Sequence, residues 1–331
     1  MTKRIIALAL TFLLAVSLSG CSQEVPKNPL QVTLVISGSL GDRAFNDSAK
    51  AGCDALADTW EIGLDTIECH GAGYSDGIRQ AADAADLVIL LGSDFNDIDS
   101  IAPEYPNVHF IWVDALAGEP AENVMNIVFA QNEGSFLAGF VAAQMSETGV
   151  IGAVGGADNA TIQDFLGGYR QGALYANETV QVEIAYTNSY SDAALGKAAA
   201  EALYEKGADV IFQVAGGAGE GVFAAAEELG FYAVGVDADQ KYLAPQQIIC
   251  SVMKQAGDAV YQAVSSYIED SPQQWWGSTW VADMAGGYIG IGYGDANMPQ
   301  QVPDEIKSEA GALANDIIAG KLQVETTRSR A

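Results

Sequence analysis

From Gln31 onward the chain alternates short apolar runs with helix-length stretches, and that alternation leaves few folds open. Apolar runs of strand length stand at 31–37, 85–92, 108–114, 149–156, 180–186, 208–216 and 231–237. Helical patterns fill the intervals at 46–59, 74–85, 133–147, 161–177, 193–206 and 219–229. Strands that read as continuous hydrophobic runs are buried on both faces, which requires parallel sheets covered by helices. The series pauses near Phe129 and restarts after Gln131. Two successive series predict an α/β protein of two doubly wound parallel-sheet lobes joined by a hinge, rather than one very wide sheet.

The predicted organisation is lobe 1 over 31–130, lobe 2 over 131–250, a return to lobe 1 over 251–280, and crossover strands with a C-terminal helix over 281–331. Within the tail, 251–268 reads as a helix, 279–294 as strands joined by a glycine-containing turn, and 303–318 as a closing helix stopped by Gly320.

The N-terminus reads as a targeting segment. Lys3 and Arg4 precede an apolar stretch, Ile5 to Val16, too short to span a bilayer comfortably. Leu18-Ser19-Gly20-Cys21 looks like a bacterial lipobox. Residues 1–20 are therefore expected to be a lipoprotein signal peptide, Cys21 the lipidated first residue of the mature chain, and 21–30 a polar tether. Several acyl chains on one residue make membrane anchoring stable. The expected location is the outer face of the cell membrane.

Of 331 residues, 43 are acidic and 15 basic, a formal charge of −28. Such a chain repels phosphate backbones, so a nucleic-acid partner is not expected. Besides Cys21 the cysteines are Cys53, Cys69 and Cys250, too few and too scattered for a disulfide framework. Cys53 reads as the buried face of a helix. With only His70 and His109, and no Cys-x-x-Cys pair, no metal site is expected.

Ligands of open α/β sheets bind beyond the carboxyl ends of the strands. That rule selects Ser37 to Asn46, Gly92 to Asn96, Asp114 to Leu116, Gly155 to Asp158, Ala215 to Gly221 and Asp237 to Gln240. The glycine-rich turn Ala215 to Gly221 lacks both the dinucleotide and the P-loop spacing. It is either a close helix–strand turn or a backbone contact to a neutral polar ligand. Asp237 and Asp239 suit an acid/base pair, a calcium site or hydroxyl acceptors. Trp275, Trp276 and Trp280 suit packing or stacking on a sugar or base. The Gly-x-Ser-x-Gly elbow is absent.

Several segments in order resemble the basic membrane protein family, substrate-binding lipoproteins of ABC transporters similar to purine nucleoside receptor A. These are Gly41-Asp42-Arg43-Ala44-Phe45-Asn46-Asp47-Ser48-Ala49, Tyr105-Pro106-Asn107-Val108, Glu133-Gly134-Ser135-Phe136-Leu137-Ala138-Gly139, the run from Gly207 to Gly217, Gly235-Val236-Asp237-Ala238-Asp239-Gln240 and Ser251-Val252-Met253-Lys254. The resemblance implies a type I periplasmic-binding-protein-like fold and a nucleoside, purine type favoured, held between the lobes. It implies that Phe45 stacks on the base, that Ser37, Asn46 and Asp114 lie near it, and that Asp237 and Lys254 grip the ribose hydroxyls beside the Gly216 backbone. The implied partners are ABC permease subunits and the membrane, through the lipid anchor. The protein is expected to act as a monomer without a cofactor and not as an enzyme. The chain departs from the family pattern at Ile36, where an acidic residue is common, and at Gly41, where an aspartate is. Neither Val214 nor Ala215 supplies the second aromatic of purine binders. A sensor for a sugar-like or signalling ligand, and an extracytoplasmic nucleoside hydrolase using Asp237 and Asp239, are the alternatives.

Overall fold

The computed structural model describes residues 29–71, 73–115, 118–269 and 275–327. The signal segment, Cys21 and most of the tether lie outside the described residues, as does Leu116.

Two six-stranded sheets carry the fold. The first is built from β1 (Leu30–Ser37), β2 (Ile62–Cys69), β3 (Leu87–Leu91), β4 (His109–Val113) and β5 (Val124–Phe129), with β11 (Ser278–Ala282) added from the tail. The second uses β6 (Val150–Gly155), β7 (Gln181–Tyr186), β8 (Val210–Val214), β9 (Tyr232–Asp237) and β10 (Ile248–Lys254), with β12 (Ile289–Gly292) added. The orders are β11-β5-β4-β3-β1-β2 and β12-β10-β9-β8-β6-β7. Each lobe therefore repeats the same doubly wound order, 2-1-3-4-5 in its own strands, and borrows a sixth from the tail. Every pairing is parallel except β10 with β12. These are the two parallel-sheet lobes that the alternation predicts.

Helices cover both sheets. In lobe 1, α1 (Phe45–Thr59) buries Ala49, Gly52, Cys53 and Leu56 along one stripe, and α2 (Tyr74–Ala82) and the short α3 (Ile98–Ile101) take the other face. In lobe 2, α4 (Gln131–Met145) packs on α5 (Ala160–Ala176), while α6 (Ala193–Glu205) packs on α7 (Glu220–Leu229). Almost all of α4 is buried, including the polar Gln131, Asn132 and Ser135 of its first turns, so there is no amphipathic pattern to read. Glycine makes the α4–α5 contact possible: a Cβ at Gly139 would lie 1.9 Å from the Tyr169 carbonyl oxygen, and one at Gly172 would lie 1.8 Å from that of Phe136.

The chain passes between the sheets three times: from β5 into α4, from β10 into α8 (Ala256–Ile268), which packs on α1, and from β11 to β12. Backbone bonds tie these crossings together. Ala130 N donates to Ala282 O at 3.1 Å, and Gln255 N to Tyr288 O at 2.9 Å. Beyond the closing helix α9 (Asp304–Ile318), the tail is tied to α5, with Glu325 N donating to Gln171 Oε1 at 2.9 Å.

Three local expectations are corrected. Ser251 to Lys254 is strand, not helix, because β10 pairs on both sides, with β9 and β12; the helix starts at Ala256. The strands within 279–294 do not pair with each other; they belong to different sheets. Strand β2, absent from the predicted series, is an edge strand, so only part of it is buried and its apolar signal is weak. Trp275 lies against Trp280, and Trp276 against His109 and Tyr267, all within the lobe 1 apolar cluster or at its margin, which makes them packing residues. Cys53, Cys69 and Cys250 are buried free thiols. Among the described residues no helix is long and apolar enough to cross a membrane.

Candidate functional site

The carboxyl ends of the two sheets face one cavity of about 550 Å³ between the lobes. Ser37, Phe45, Asn46 and Asp114 line it from lobe 1, and Gly216, Asp237 and Lys254 from lobe 2. Thus the structure brings together the residues that the family resemblance implies, whereas the strand-end segment Gly155 to Asp158 does not reach the lining. Asp239 is not part of the lining. Its carboxylate accepts from Lys241 N at 3.1 Å and Gly294 N at 2.7 Å, so the pair Asp237 and Asp239 is split between a cavity group and a structural one.

Lys254 ends β10 at a crossing between lobes and is 2 % exposed. Its Nζ lies 2.9 Å from Asp114 Oδ2. The rings of Phe45, Phe129 and Phe165 surround the ammonium at 4.5, 4.8 and 5.5 Å from their centroids. A carboxylate and three ring faces thus take the place of the water that burial removes from the ammonium.

Asp114 and Asp237 occupy equivalent places, each at the end of the fourth strand of its lobe. Both have left-handed backbones, with φ of 66° and 65°. Aspartate tolerates that region better than most residues, yet the conformation costs energy and persists where surrounding structure enforces it. It lets each chain turn sharply at the strand end, beside the cavity. Behind Asp237, a buried amide network joins the strand ends: Gln213 Nε2 donates to Gln240 Oε1 at 2.7 Å, and that oxygen also accepts from Val236 N at 3.0 Å.

Burial pushes the Asp237 carboxyl up to about 7; Lys254 pulls it down, and Asp42 and Asp114 push it further up. Among the described residues, no hydrogen bond donor serves the Asp237 carboxylate. It is an acceptor aimed at whatever fills the cavity.

The lobe 1 wall is a capped loop. Asp42 accepts from Ala44 N, Asn46 N and Asp47 N at 3.0, 2.9 and 3.1 Å, and Asp47 accepts from Gly41 N and Arg43 N at 2.8 and 2.9 Å. These bonds satisfy the free N–H groups at the start of α1 and place Phe45, its first residue, at the cavity. Asn46 Nδ2 donates to Ser39 O at 2.9 Å, and Ser37 Oγ donates to Asp94 Oδ2 at 2.5 Å. The carboxylates of Asp42, Asp94, Asp114, Asp237 and Glu220 line the space, and Lys254 is the one lysine or arginine among the described lining residues. That balance suits a neutral ligand rich in hydrogen-bond donors and repels phosphates.

Sequence reasoning missed several lining residues. His70 and Tyr74 follow the unrecognised β2. Asn159, Thr161, Ile162 and Phe165 lie at the start of α5 and just before it, and Tyr190 follows β7. Strand β7 was recognisable, so the carboxyl-end rule applied to it would have found Tyr190. The glycine-rich turn serves both readings: Gly216 and Gly217 line the cavity, while a Cβ at Gly219 would lie 1.9 Å from Gln213 Oε1.

Two lobes of repeated topology, three crossings and a polar cavity between strand ends define a solute-binding protein of type I periplasmic-binding-protein-like fold. A crystal structure of an ABC transporter solute-binding protein from Aeropyrum pernix superposes with a TM-score of 0.80 at 26 % identity, covering 91 % of this chain and 95 % of that one. Residues 30–327 match the family model described as ABC transporter substrate-binding protein PnrA-like. The chain belongs to that family, the basic membrane proteins. It is similar to basic membrane protein A of Borreliella burgdorferi, 30 % identical over 99 % of this chain and 97 % of the relative. It is also similar to basic membrane protein B of Borrelia garinii subsp. bavariensis, 33 % identical over 81 % of this chain and 82 % of the relative.

Proposed function

We propose that this ABC-transporter substrate-binding protein takes up a nucleoside, purine type favoured, and delivers it to a permease from the outer face of the cell membrane, where lipid on Cys21 tethers it. The observation that carries the reading is the placement of an aromatic ring, Phe45, and an unserved carboxylate, Asp237, in one cavity with contributions from both lobes. Stacking a base on a ring is worth about 1–3 kcal/mol. A hydroxyl given to a charged acceptor adds about 1.5–3 kcal/mol. Contacts from both lobes exist only when the cleft is closed, so ligand shifts the protein toward closure, which a permease reads as occupancy.

Binding rather than hydrolysis fits the split between Asp237 and Asp239, which leaves Asp237 without that carboxylate as a catalytic partner in the cavity. The test is mass spectrometry of small molecules released on denaturing protein purified from its native host, followed by thermal melts with purine and pyrimidine nucleosides. Ligand at a hundredfold above its Kd raises stability by about 2.7 kcal/mol. Release of a sugar or signalling compound, with no melt shifted by any nucleoside, overturns the proposal. Free base appearing during incubation supports the hydrolase instead.

A further inference from the structure

Helix α5 carries part of the lobe 2 wall, and its grip on α4 is built on glycine. Thr161, Ile162 and Phe165 of its first turns line the cavity. Where α5 meets α4, backbone lies on backbone: a Cβ at Gly168 would lie 2.2 Å from Asn132 O, and one at Gly172 1.8 Å from Phe136 O. Glycine allows that approach but leaves no side-chain ridge to seat in a groove, so at these points the contact resists sliding poorly.

The C-terminal tail crosses this contact and grips both helices. Val324 is buried in the apolar cluster that holds Phe136, Leu137, Met284 and Ile289. Its carbonyl accepts from Asn132 Nδ2, on α4, at 3.0 Å. Asn132 stands at the first crossing between the sheets, and its neighbour Glu133 accepts from Met284 N at 2.9 Å, tying that crossing to the third. From there the tail runs onto α5. Gln171 Nε2 donates to Glu325 O at 2.8 Å, and Gln171 Oε1 accepts from Glu325 N at 2.9 Å. Asp164 Oδ1 accepts from Thr326 Oγ1, Thr327 N and Thr327 Oγ1 at 2.6, 2.9 and 3.5 Å. Thr327 lies so close on the helix that a Cβ at Gly167 would meet its Cγ2 at 2.8 Å. Asp164 is 1 % exposed, and its hydrogen-bond donors among the described residues all belong to the tail. A buried carboxylate served in this way fixes the geometry of whatever donates to it.

We propose that residues 324–327 are a strap that sets the position of α5 on α4, and that Asp164 is the positioning residue through which it acts. Neither the strap nor Asp164 lines the cavity. The strap instead holds Thr161, Ile162 and Phe165 where they line it, and ties that wall to the crossing at Asn132. A solute then meets a preorganised surface. With the strap released, α5 samples other placements, and apparent affinity falls with the fraction in the competent one. The strap applies to any solute that this wall contacts; only the choice of probe ligand rests on the nucleoside reading.

Hydrogen–deuterium exchange of the unliganded full chain reads the strap directly, and calorimetry with adenosine and uridine reads its consequence, on wild type, Asp164→Ala, Asp164→Asn and Asp164→Ala/Gln171→Ala. Asp164→Ala takes the acceptor from Thr327 N and two hydroxyls. It is expected to speed exchange over 160–168 about tenfold or more, while β8 and β9 keep wild-type protection. Nucleoside affinity is expected to fall about three- to tenfold with it, and further in the double variant. Asp164→Asn keeps an oxygen for the same donors and is expected to restore both readouts to within about twofold of wild type. Thermal melts check that each variant is folded at the temperature of measurement. A tail that merely stabilises the fold lowers the melting temperature only. Wild-type exchange over 160–168 and wild-type affinity in folded Asp164→Ala therefore overturn the strap. Wild type that binds neither nucleoside counts against the nucleoside reading alone, and the exchange over 160–168 then decides the strap by itself.

Discussion

Lys254 Nζ and Asp114 Oδ2, 2.9 Å apart and both almost fully buried, join the end of β10 in one sheet to the turn after β4 in the other. Lys254 is one residue before the crossing at Gln255, so the ion pair sits both at a connection between the lobes and in the lining of the cavity. The exposed Arg43–Glu220 contact, 3.5 Å at the cleft mouth, is screened by water and contributes little by comparison.

Breaking one partner of such a pair leaves the other charge buried, at a cost of about 3–5 kcal/mol. Lys254→Met is therefore expected to move the unliganded protein toward the open form, seen as a larger radius of gyration in small-angle scattering, and to weaken ligand by tenfold or more. The double variant Lys254→Met/Asp114→Asn is expected to be less destabilised than the sum of its parts. Additive losses would show that the two groups do not act as a pair.

Proton uptake is expected to accompany closure without ligand. Burial between the lobes raises the Asp237 carboxyl from 3.8 to about 7, which penalises its charged form. The penalty on the unliganded closed form is absent in acid, grows from about pH 4 to about pH 7, and is constant above that. A ligand that donates hydroxyls needs the ionised carboxylate, so relative to the unliganded form with Asp237 buried its affinity is expected to fall below pH 7, by at most about tenfold per pH unit. Asp237→Asn is expected to flatten the profile. An affinity for ribosides that is level from pH 5.5 to 8 in wild type rules this out.

Phe45 and Asp237 are expected to act on different parts of one ligand. Replacing the Phe45 ring by alanine should weaken every nucleoside, since stacking tolerates any base. Asp237→Ala should penalise nucleosides with intact ribose hydroxyls by about ten- to a hundredfold and spare dideoxy analogues. Calorimetry on both variants with a nucleoside and its dideoxy counterpart decides it; equal losses for the two ligands in Asp237→Ala assign that carboxylate a structural role.

Cys21→Ser is expected to release the protein from the membrane fraction while ligand affinity stays at the wild-type value, because the side chains argued to hold the ligand all lie at Ser37 or beyond. Fractionation and immunoblotting check the first half, calorimetry the second. Membrane-bound Cys21→Ser protein refutes lipid anchoring at that residue.

The alternation of apolar runs and helical patterns was enough to determine the two parallel-sheet lobes, because burial on both faces writes itself into consecutive residues such as Leu87 to Leu91. The strand-end rule likewise made Asp42, Asp94, Asp114, Gly216 and Asp237 legible as cavity candidates. Lys254 was visible through family resemblance, although its segment read as helix. Only the tertiary structure decided that this segment is strand, since pairing with β9 and β12 overrode local pattern. It alone brought Tyr190 over Gly156, and Asn159 to the Tyr190 hydroxyl, contacts between residues 31 to 34 positions apart that no local periodicity encodes. It also raised Asp237 and paired Asp114 with Lys254, because desolvation and charge separation depend on how the lobes close, not on the order of residues along the chain.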